Sequence, residues 1–315
     1  MTDSSTRRSA VALVLASVLL LAWPAGAAPP GEETGAEVLA GLLSSFNAPL
    51  GDLTRKKYPS EWQNLLTGFS GRVTFEHPLT RKPIADGSGS QGERATGSPL
   101  LGLSLFYSPL SAWFGQVTLY KYLDESLQAP WNPDFSYSFG YDDWHPNTLS
   151  LVYANYGGNR FAPDERRGER VTRFDEGTIS LGFKFVLPKS IERWFTVHDT
   201  GAVGFRASYH LTPRYVDDAC ACRRDAKHAL SLGLRYVIHT WWFAEITLYG
   251  YPAPRQKQPW DPDFTYTFGY FDWHPGTFAV QYSNYSGNRY PWNPSSPGTG
   301  RFKDGSVSIS WSWAW

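Results

Sequence analysis

Trp131-Asn-Pro-Asp-Phe-Ser-Tyr-Ser-Phe-Gly-Tyr-Asp-Asp-Trp-His-Pro146 returns, 129 residues further on, as Trp260-Asp-Pro-Asp-Phe-Thr-Tyr-Thr-Phe-Gly-Tyr-Phe-Asp-Trp-His-Pro275. In the first copy Phe135, Tyr137, Phe139 and Tyr141 alternate with Ser136, Ser138 and Gly140. An extended chain places the rings on one face and the small residues on the other. The match continues through Tyr153/Tyr282, Asn155-Tyr156/Asn284-Tyr285 and Gly158-Asn159-Arg160/Gly287-Asn288-Arg289, and upstream through Thr118-Leu119-Tyr120/Thr247-Leu248-Tyr249. With small gaps it reaches back to Trp62/Trp194 and forward to Gly177/Gly305. Two copies of about 125 residues therefore occupy most of the chain, the mark of a duplicated structural unit.

Period-two alternation predicts six strands in each copy: 71–79, 99–107, 113–123, 134–144, 148–156 and 178–187, then 201–211, 228–238, 241–251, 263–273, 277–285 and 306–315. Most have the nine to eleven residues that a tilted strand needs to cross a hydrocarbon layer. Short links at 108–112, 145–147 and 274–276 alternate with long polar ones at 80–97, 124–133 and 159–176 and their second-copy equivalents. That alternation matches the short periplasmic turns and long external loops of outer-membrane barrels. The link 188–200 is longer than the rule predicts, and part of it, 194–198, is read as extending a strand.

Facing follows from the same parity. Leu101, Leu103, Leu105, Val117, Leu119, Ile179, Leu181, Phe183, Val307, Ile309, Trp311, Trp313 and Trp315 join the aromatic side of the quoted stretch as a lipid-facing set. Arg72, Glu76, Gln116, Lys184, Arg206, Arg235 and Glu245 fall on the opposite, lumen-facing side, among serines and threonines. Trp113, Trp144, Trp273 and Trp313 near short turns, with Trp131 and Trp260 near long loops, are placed for two interfacial girdles.

The first residues carry an address. Arg7 and Arg8 precede an apolar run from Ala10 to Trp23, and Ala25-Gly26-Ala27 has the form of a signal-peptidase site, so 1–27 reads as a cleaved signal peptide. Beyond it no segment approaches the ~20 apolar residues of a transmembrane helix. Mean hydropathy is −0.37 although aromatics make up 16% of the chain, a combination expected where half of every strand faces a polar lumen. The 29 basic and 29 acidic residues balance, which leaves no electrostatic footprint for nucleic acid. Residues 28–59 form a separate periplasmic segment in which Val38, Leu39, Leu42, Leu43 and Phe46 line one face of a short helix over 35–46. That segment is read as a lumen plug, a dock for a periplasmic partner, or a loosely held periplasmic tail.

The terminal run Val307-Ser-Ile-Ser-Trp-Ser-Trp-Ala-Trp315 resembles the last strand of bacterial outer-membrane proteins, which alternates and ends on an aromatic residue; the usual residue there is Phe rather than Trp. The resemblance covers about residues 60 to 315. It implies an all-β fold: a single transmembrane antiparallel barrel of about 12 strands from two six-strand repeats, at 60–188 and 192–315. It also implies recognition by the barrel-assembly machinery through the strand ending at Trp315, and contact with outer-membrane lipid and lipopolysaccharide of a Gram-negative bacterium. Twelve-stranded members of the class include nucleoside channels, oligosaccharide porins and a phospholipase. A soluble sandwich is the competing fold, but it would expose Trp311, Trp313 and Trp315 beside Ile309 and aggregate.

The leading function is a passive channel or export pore for small polar or sugar-like solutes, with a mild anion preference from Arg72, Arg206 and Arg235. A closed lumen in which the same charges pair is the alternative. An enzyme acting on lipid or lipopolysaccharide would draw on His145 or His274, each two residues after an Asp. Both sit at tight turns with no serine or cysteine placed nearby by local spacing, so the turn reading is preferred. A third reading is a structural partner of an envelope assembly, recruited through 35–46. Arg160 and Arg289 end strand five at the external rim and are candidates for binding sugar or lipid phosphate. Cys220 and Cys222 are either joined to each other or free. No cofactor, metal site or nucleic-acid partner is expected.

Overall fold

The structure, a computed structural model, describes residues 68–314 except 81–96, 111, 129–131, 144, 168, 170, 195–201, 218–219, 221, 239–240, 259–260, 273–275, 286–287, 291 and 293–300. The signal peptide, the helix expected over 35–46, Trp131, Trp144, Trp260, Trp273, His274 and Trp315 lie outside the described residues.

Twelve strands follow in order: β1 (Phe69–Pro78), β2 (Leu100–Leu110), β3 (Trp113–Tyr122), β4 (Phe135–Asp142), β5 (Leu149–Asn155), β6 (Thr178–Val186), β7 (Ala202–Asp217), β8 (Cys222–Ile238), β9 (Trp242–Gly250), β10 (Phe264–Phe271), β11 (Phe278–Asn284) and β12 (Ser306–Ala314). Each pairs antiparallel with its sequence neighbour, and β1 pairs with β12 from Ser70 against Ala314 to Pro78 against Ser306. The sheet therefore closes into a barrel with no free edge.

Pleat parity sorts the side chains. Outside, Val73, Leu101, Leu105, Val117, Leu119, Phe139, Leu151, Leu181, Ile246, Phe268, Val280 and Ile309 are all exposed. An apolar belt of this extent running across every strand is stable only against lipid. The closed twelve-strand barrel with that belt is the architecture of an outer-membrane β-barrel. At its short-turn end Trp113 packs edge-on to Tyr141 at 5.6 Å, and Trp242 meets Tyr270 in the same way at 5.7 Å. These are the paired aromatics of an interfacial girdle.

Equivalent contacts recur in the two halves. Tyr153 stacks under Phe174 at 4.4 Å and donates its hydroxyl proton to the Phe174 carbonyl at 2.7 Å; Tyr282 does the same under Phe302 at 4.3 and 2.7 Å. Asn155 Nδ2 donates to Tyr137 Oη and the Arg173 carbonyl, as Asn284 does to Tyr266 Oη and the Arg301 carbonyl. Each set straps a long loop against the upper outer wall. At the opposite end Asn147 (φ 60°) and Gly276 (φ 83°) take the left-handed turn position, where an Asn or Gly is tolerated.

Two expectations are corrected. β7 and β8 run well past 211 and before 228, forming a hairpin that projects beyond the belt. Its polar, charged sequence reads as loop because the charges look unpaired along the chain. Folded, Arg224 meets Asp217 at 2.5 Å, Arg223 meets Glu176 at 3.1 Å and Arg214 meets Asp175 at 2.9 Å. Those ion pairs let the ladder continue in water. In the link 188–200, a short helix α1 (Lys189–Glu192) follows β6 and Trp194 is not in a strand; the remainder of the expected extension is outside the described residues.

Close approach explains Gly140 and Gly269, equivalent inward positions of β4 and β10. A Cβ at either would overlap the backbone of the next strand, at Leu151 O and Val280 O respectively. Gly269→Ala is expected to destabilise the barrel by about 1–3 kcal/mol, the usual cost of overpacking. Urea unfolding in lipid vesicles, followed by tryptophan fluorescence, checks this; an unchanged midpoint would show that the strands separate freely there.

Candidate functional site

The lumen is the candidate site. Inward positions of the second half surround a polar cavity of ≈ 260 Å³, walled by Arg206, Ser208 and His210 of β7, Ser231 and Arg235 of β8, and Glu245, Thr247 and Tyr249 of β9. Thr265 and Thr267 of β10, Gln281 of β11, Tyr285 and Arg72 of β1 complete the wall. Hydroxyls are the largest group on the wall, since seven of its sixteen lining residues are Ser, Thr or Tyr. His210 bridges two hydroxyls, with Nδ1 2.8 Å from Ser180 Oγ and Nε2 2.8 Å from Ser231 Oγ.

Beside the cavity lies a buried ionic triad. Lys184 Nζ is 2.8 Å from Asp142 Oδ1, and Arg206 Nη2 is 2.9 and 2.8 Å from Asp142 Oδ1 and Oδ2. Lys184 also donates to the Asp143 carbonyl at 2.8 Å. Asp142 sits on β4, Lys184 and Arg206 on β6 and β7, so the lysine reaches over β5 and the arginine over both β5 and β6. The arginine can do so because Ser150 and Gly182 are small there; a Cβ at Gly182 would lie 2.5 Å from Ser150 Oγ. The small inward residues Ser150 of β5 and Gly182 of β6 thus serve as space for this side chain.

The other inward charges divide in the same manner. Arg235 Nη1 is 3.9 Å from Glu245 Oε2 and its guanidinium lies 4.2 Å over the Phe243 ring. The Arg72 guanidinium lies 5.9 Å over Phe271 and has no ion-pair partner among the described residues. Glu76 accepts from Ser306 Oγ at 2.5 Å, and Gln116 Nε2 donates to Thr118 Oγ1 at 3.3 Å; neither lines the cavity.

At the short-turn end the interior becomes apolar. Phe106 and Phe114 with Val152 form one cluster, and Ala202, Val237, Phe243 and Phe271 with Val186 and Ala279 form another. All are inward by strand parity. Toward the long loops, by contrast, the wall turns to tyrosine. Tyr120 and Tyr249 occupy equivalent inward positions, and Tyr156 and Tyr285 continue the inward parity past β5 and β11, where they are 55% and 58% exposed.

The rim arginines are not open to solvent. Arg160 is 5% exposed, with Nη1 2.9 Å from Asp134 Oδ1 and Nη2 3.4 Å from Glu169 Oε1. Arg289, equally buried, donates to the carbonyls of Asp261 and Gln258, while Lys227 holds the Asp261 carboxylate at 2.9 Å. Both guanidiniums lock the long loops onto the strands. Tyr251 belongs to the second lock, donating to the Pro262 carbonyl at 2.9 Å; burial, then the nearby Asp261 carboxylate, hold its phenol well above the usual range.

His145 Nδ1 is 2.6 Å from Asp143 Oδ1, and the same oxygen accepts from the His145 backbone N–H at 3.0 Å. Thr148 Oγ1 donates to the His145 carbonyl at 2.6 Å. The Asp therefore closes a turn, with the threonine committed to it. Cys220 and Cys222 are joined at the tip of the β7–β8 hairpin. Among the described residues no group of three or more His, Cys, Asp or Glu could hold a metal ion.

Sequence parity alone reaches Arg72, Arg206, Arg235 and Glu245 on one wall. It did not single out Asp142, although that residue is two positions past the inward Gly140. Nor did it single out Tyr156, Tyr285 and His210, although the expected strands 148–156, 277–285 and 201–211 contain them, because their partners lie on other strands or loops.

No family model matches the chain, and no curated protein matches it. Among solved structures, it is similar to an outer membrane channel from Pseudomonas putida F1, with TM-score 0.38 and 10% identity, covering 78% of this chain and 95% of that one. It is also similar to Salmonella typhi OmpF in complex with daunomycin, with TM-score 0.31 and 10% identity, covering 78% of this chain and 97% of that one.

Asp142 is the keystone of the triad. Asp142→Ala strands two buried cations, and removing one member of a buried ion pair typically costs about 3–5 kcal/mol. Equilibrium unfolding in vesicles should show a loss of that size. A loss no larger than that of an exposed control such as Asp225→Ala would mean that Lys184 and Arg206 are held by other groups.

Proposed function

We propose that the protein is a passive channel in the outer membrane of a Gram-negative bacterium, open to small polar or sugar-like solutes and mildly selective for anions. The observation that carries this reading is the wall of the ≈ 260 Å³ cavity, where Arg72 has no carboxylate partner among the described residues, while Arg206 shares Asp142 with Lys184 and Arg235 faces Glu245. A sealed barrel would be expected to neutralise its inward charges, whereas an aqueous passage keeps charge on its wall and selects by its sign. Tyr156 and Tyr285, water-accessible beneath the long loops, fit a vestibule that offers flat apolar faces with polar tips to incoming solutes.

In this reading the two apolar clusters at the short-turn end form the narrowest section. Hydrophobic constrictions pass solute poorly until wetted, so small or infrequent openings are expected. The last strand ending at Trp315 is taken as the signal read by the barrel-assembly machinery, and the exposed aromatics near the long loops as contacts for lipid and lipopolysaccharide. Neither the Asp143–His145 pair nor the buried Arg160 and Arg289 offers a comparably accessible site for lipid chemistry.

Planar-bilayer recording on the refolded, signal-free protein tests the proposal. In a KCl gradient the reversal potential should report anion preference, and Arg72→Glu should shift it toward cations. Folded protein with no conductance and no flux in a liposome-swelling assay would refute the channel. A second outcome concerns the constriction: Phe243→Ala should raise the single-channel conductance. Unchanged current would place the narrowest section elsewhere.

A further inference from the structure

We propose that the arginine-walled cavity is a binding site for one small hydroxylated monocarboxylate, a sugar-acid-like anion of about monosaccharide size. This deepens the channel reading, on which it rests, by naming the class of solute held in the lumen.

Charge sets the first requirement. Of the three guanidiniums on the wall, Arg206 is matched by Asp142 and Arg235 by Glu245. Arg72 is matched by no carboxylate among the described residues; it rests over the Phe271 ring. Its Nε is buried with no acceptor, and so is the Nε of Arg206, a residue only 7% exposed. Buried donors without acceptors are costly, and a carboxylate satisfies a guanidinium fork with two parallel charge-assisted bonds. Arg72 is the wall guanidinium without a carboxylate contact among the described residues, which calls for a carboxylate beside it, and Glu245 on the same wall repels a second negative charge.

Size and lining set the rest. A cavity of ≈ 260 Å³ has room for roughly nine waters at ~30 Å³ each, the scale of a monosaccharide. Ser208, Ser231, Thr247 and Thr265 line it with groups that both donate and accept, as solute hydroxyls require. The Tyr249 and Tyr285 rings supply apolar faces for carbon-bound hydrogens. Among the described residues the first half does not repeat this pairing: the residue opposite Gln116 is Phe106, whereas the residue opposite the equivalent Glu245 is Arg235. One site per barrel is implied.

The test is isothermal titration of the folded, signal-free barrel in detergent with sodium gluconate, against glucose, sodium chloride and sodium phosphate. Saturable gluconate binding is expected, with glucose, chloride and phosphate binding at least roughly tenfold more weakly, and Arg72→Gln should lose roughly tenfold in affinity. Arg72→Lys, which keeps the charge and loses the fork, guards against misfolding of the Gln variant and should also weaken binding. The proposal is overturned by wild-type protein that does not bind gluconate, by glucose or phosphate binding as well as gluconate, or by unchanged affinity in both variants. Bilayer recording on the same samples separates the two readings. Gluconate binding without conductance removes the channel and keeps the site, while conductance without binding does the reverse.

Discussion

A backbone amide or carbonyl inside a bilayer has no water to bond, and leaving one unpaired costs several kcal/mol. Everything else in this protein depends on satisfying that constraint. The pairing of β1 with β12 does so by removing the last edge of the sheet, so that every strand has two neighbours. Closure dictates the division of side chains. Alternate residues must meet lipid, and the rest must fill or line a lumen. The polar interior is thus a consequence of closure, and the chemistry of the protein has to be sought there.

How that interior is filled distinguishes the two halves of the molecule. Outside, they carry matched straps: Tyr153 under Phe174 and Tyr282 under Phe302, with Asn155 and Asn284 tying the same loops. Inside, they have diverged. Asp142 faces its cations in the first half where the second has Phe271, and Gln116 is matched by Glu245. Asp142 and Lys184 of the first half close a triad with Arg206 of the second, while Arg235 and Glu245 of the second half, with Arg72 of the first, surround open space. Lipid imposes the same demand on both halves and the lumen does not, so the exterior stays duplicated while the interior differentiates.

The rim shows how burial changes the meaning of a motif. Asn-Tyr-x-Gly-Asn-Arg ends strand five twice, and its arginines look available for ligands when read along the chain. In the fold Arg160 and Arg289 are enclosed by Asp134 and Glu169 and by the Asp261 and Gln258 carbonyls, so their positive charge is used in holding loops. The tyrosines one place after the asparagines, Tyr156 and Tyr285, remain accessible.

Strand number, order and facing were legible in the sequence, because a period of two is a local property and lipid on one side makes it unambiguous. Arg72, Arg206, Arg235 and Glu245 could be assigned to one wall on parity alone. The sequence could not show which charges would neutralise one another, since Asp142 and Arg206 are 64 residues apart and meet over the inner face of β5 and β6. Nor could it show that the β7–β8 hairpin continues into water, for its cations find acids on another loop. Parity is set by the geometry of one strand. Pairing, burial and the remaining cavity depend on distances between strands, and those exist only once the barrel has closed.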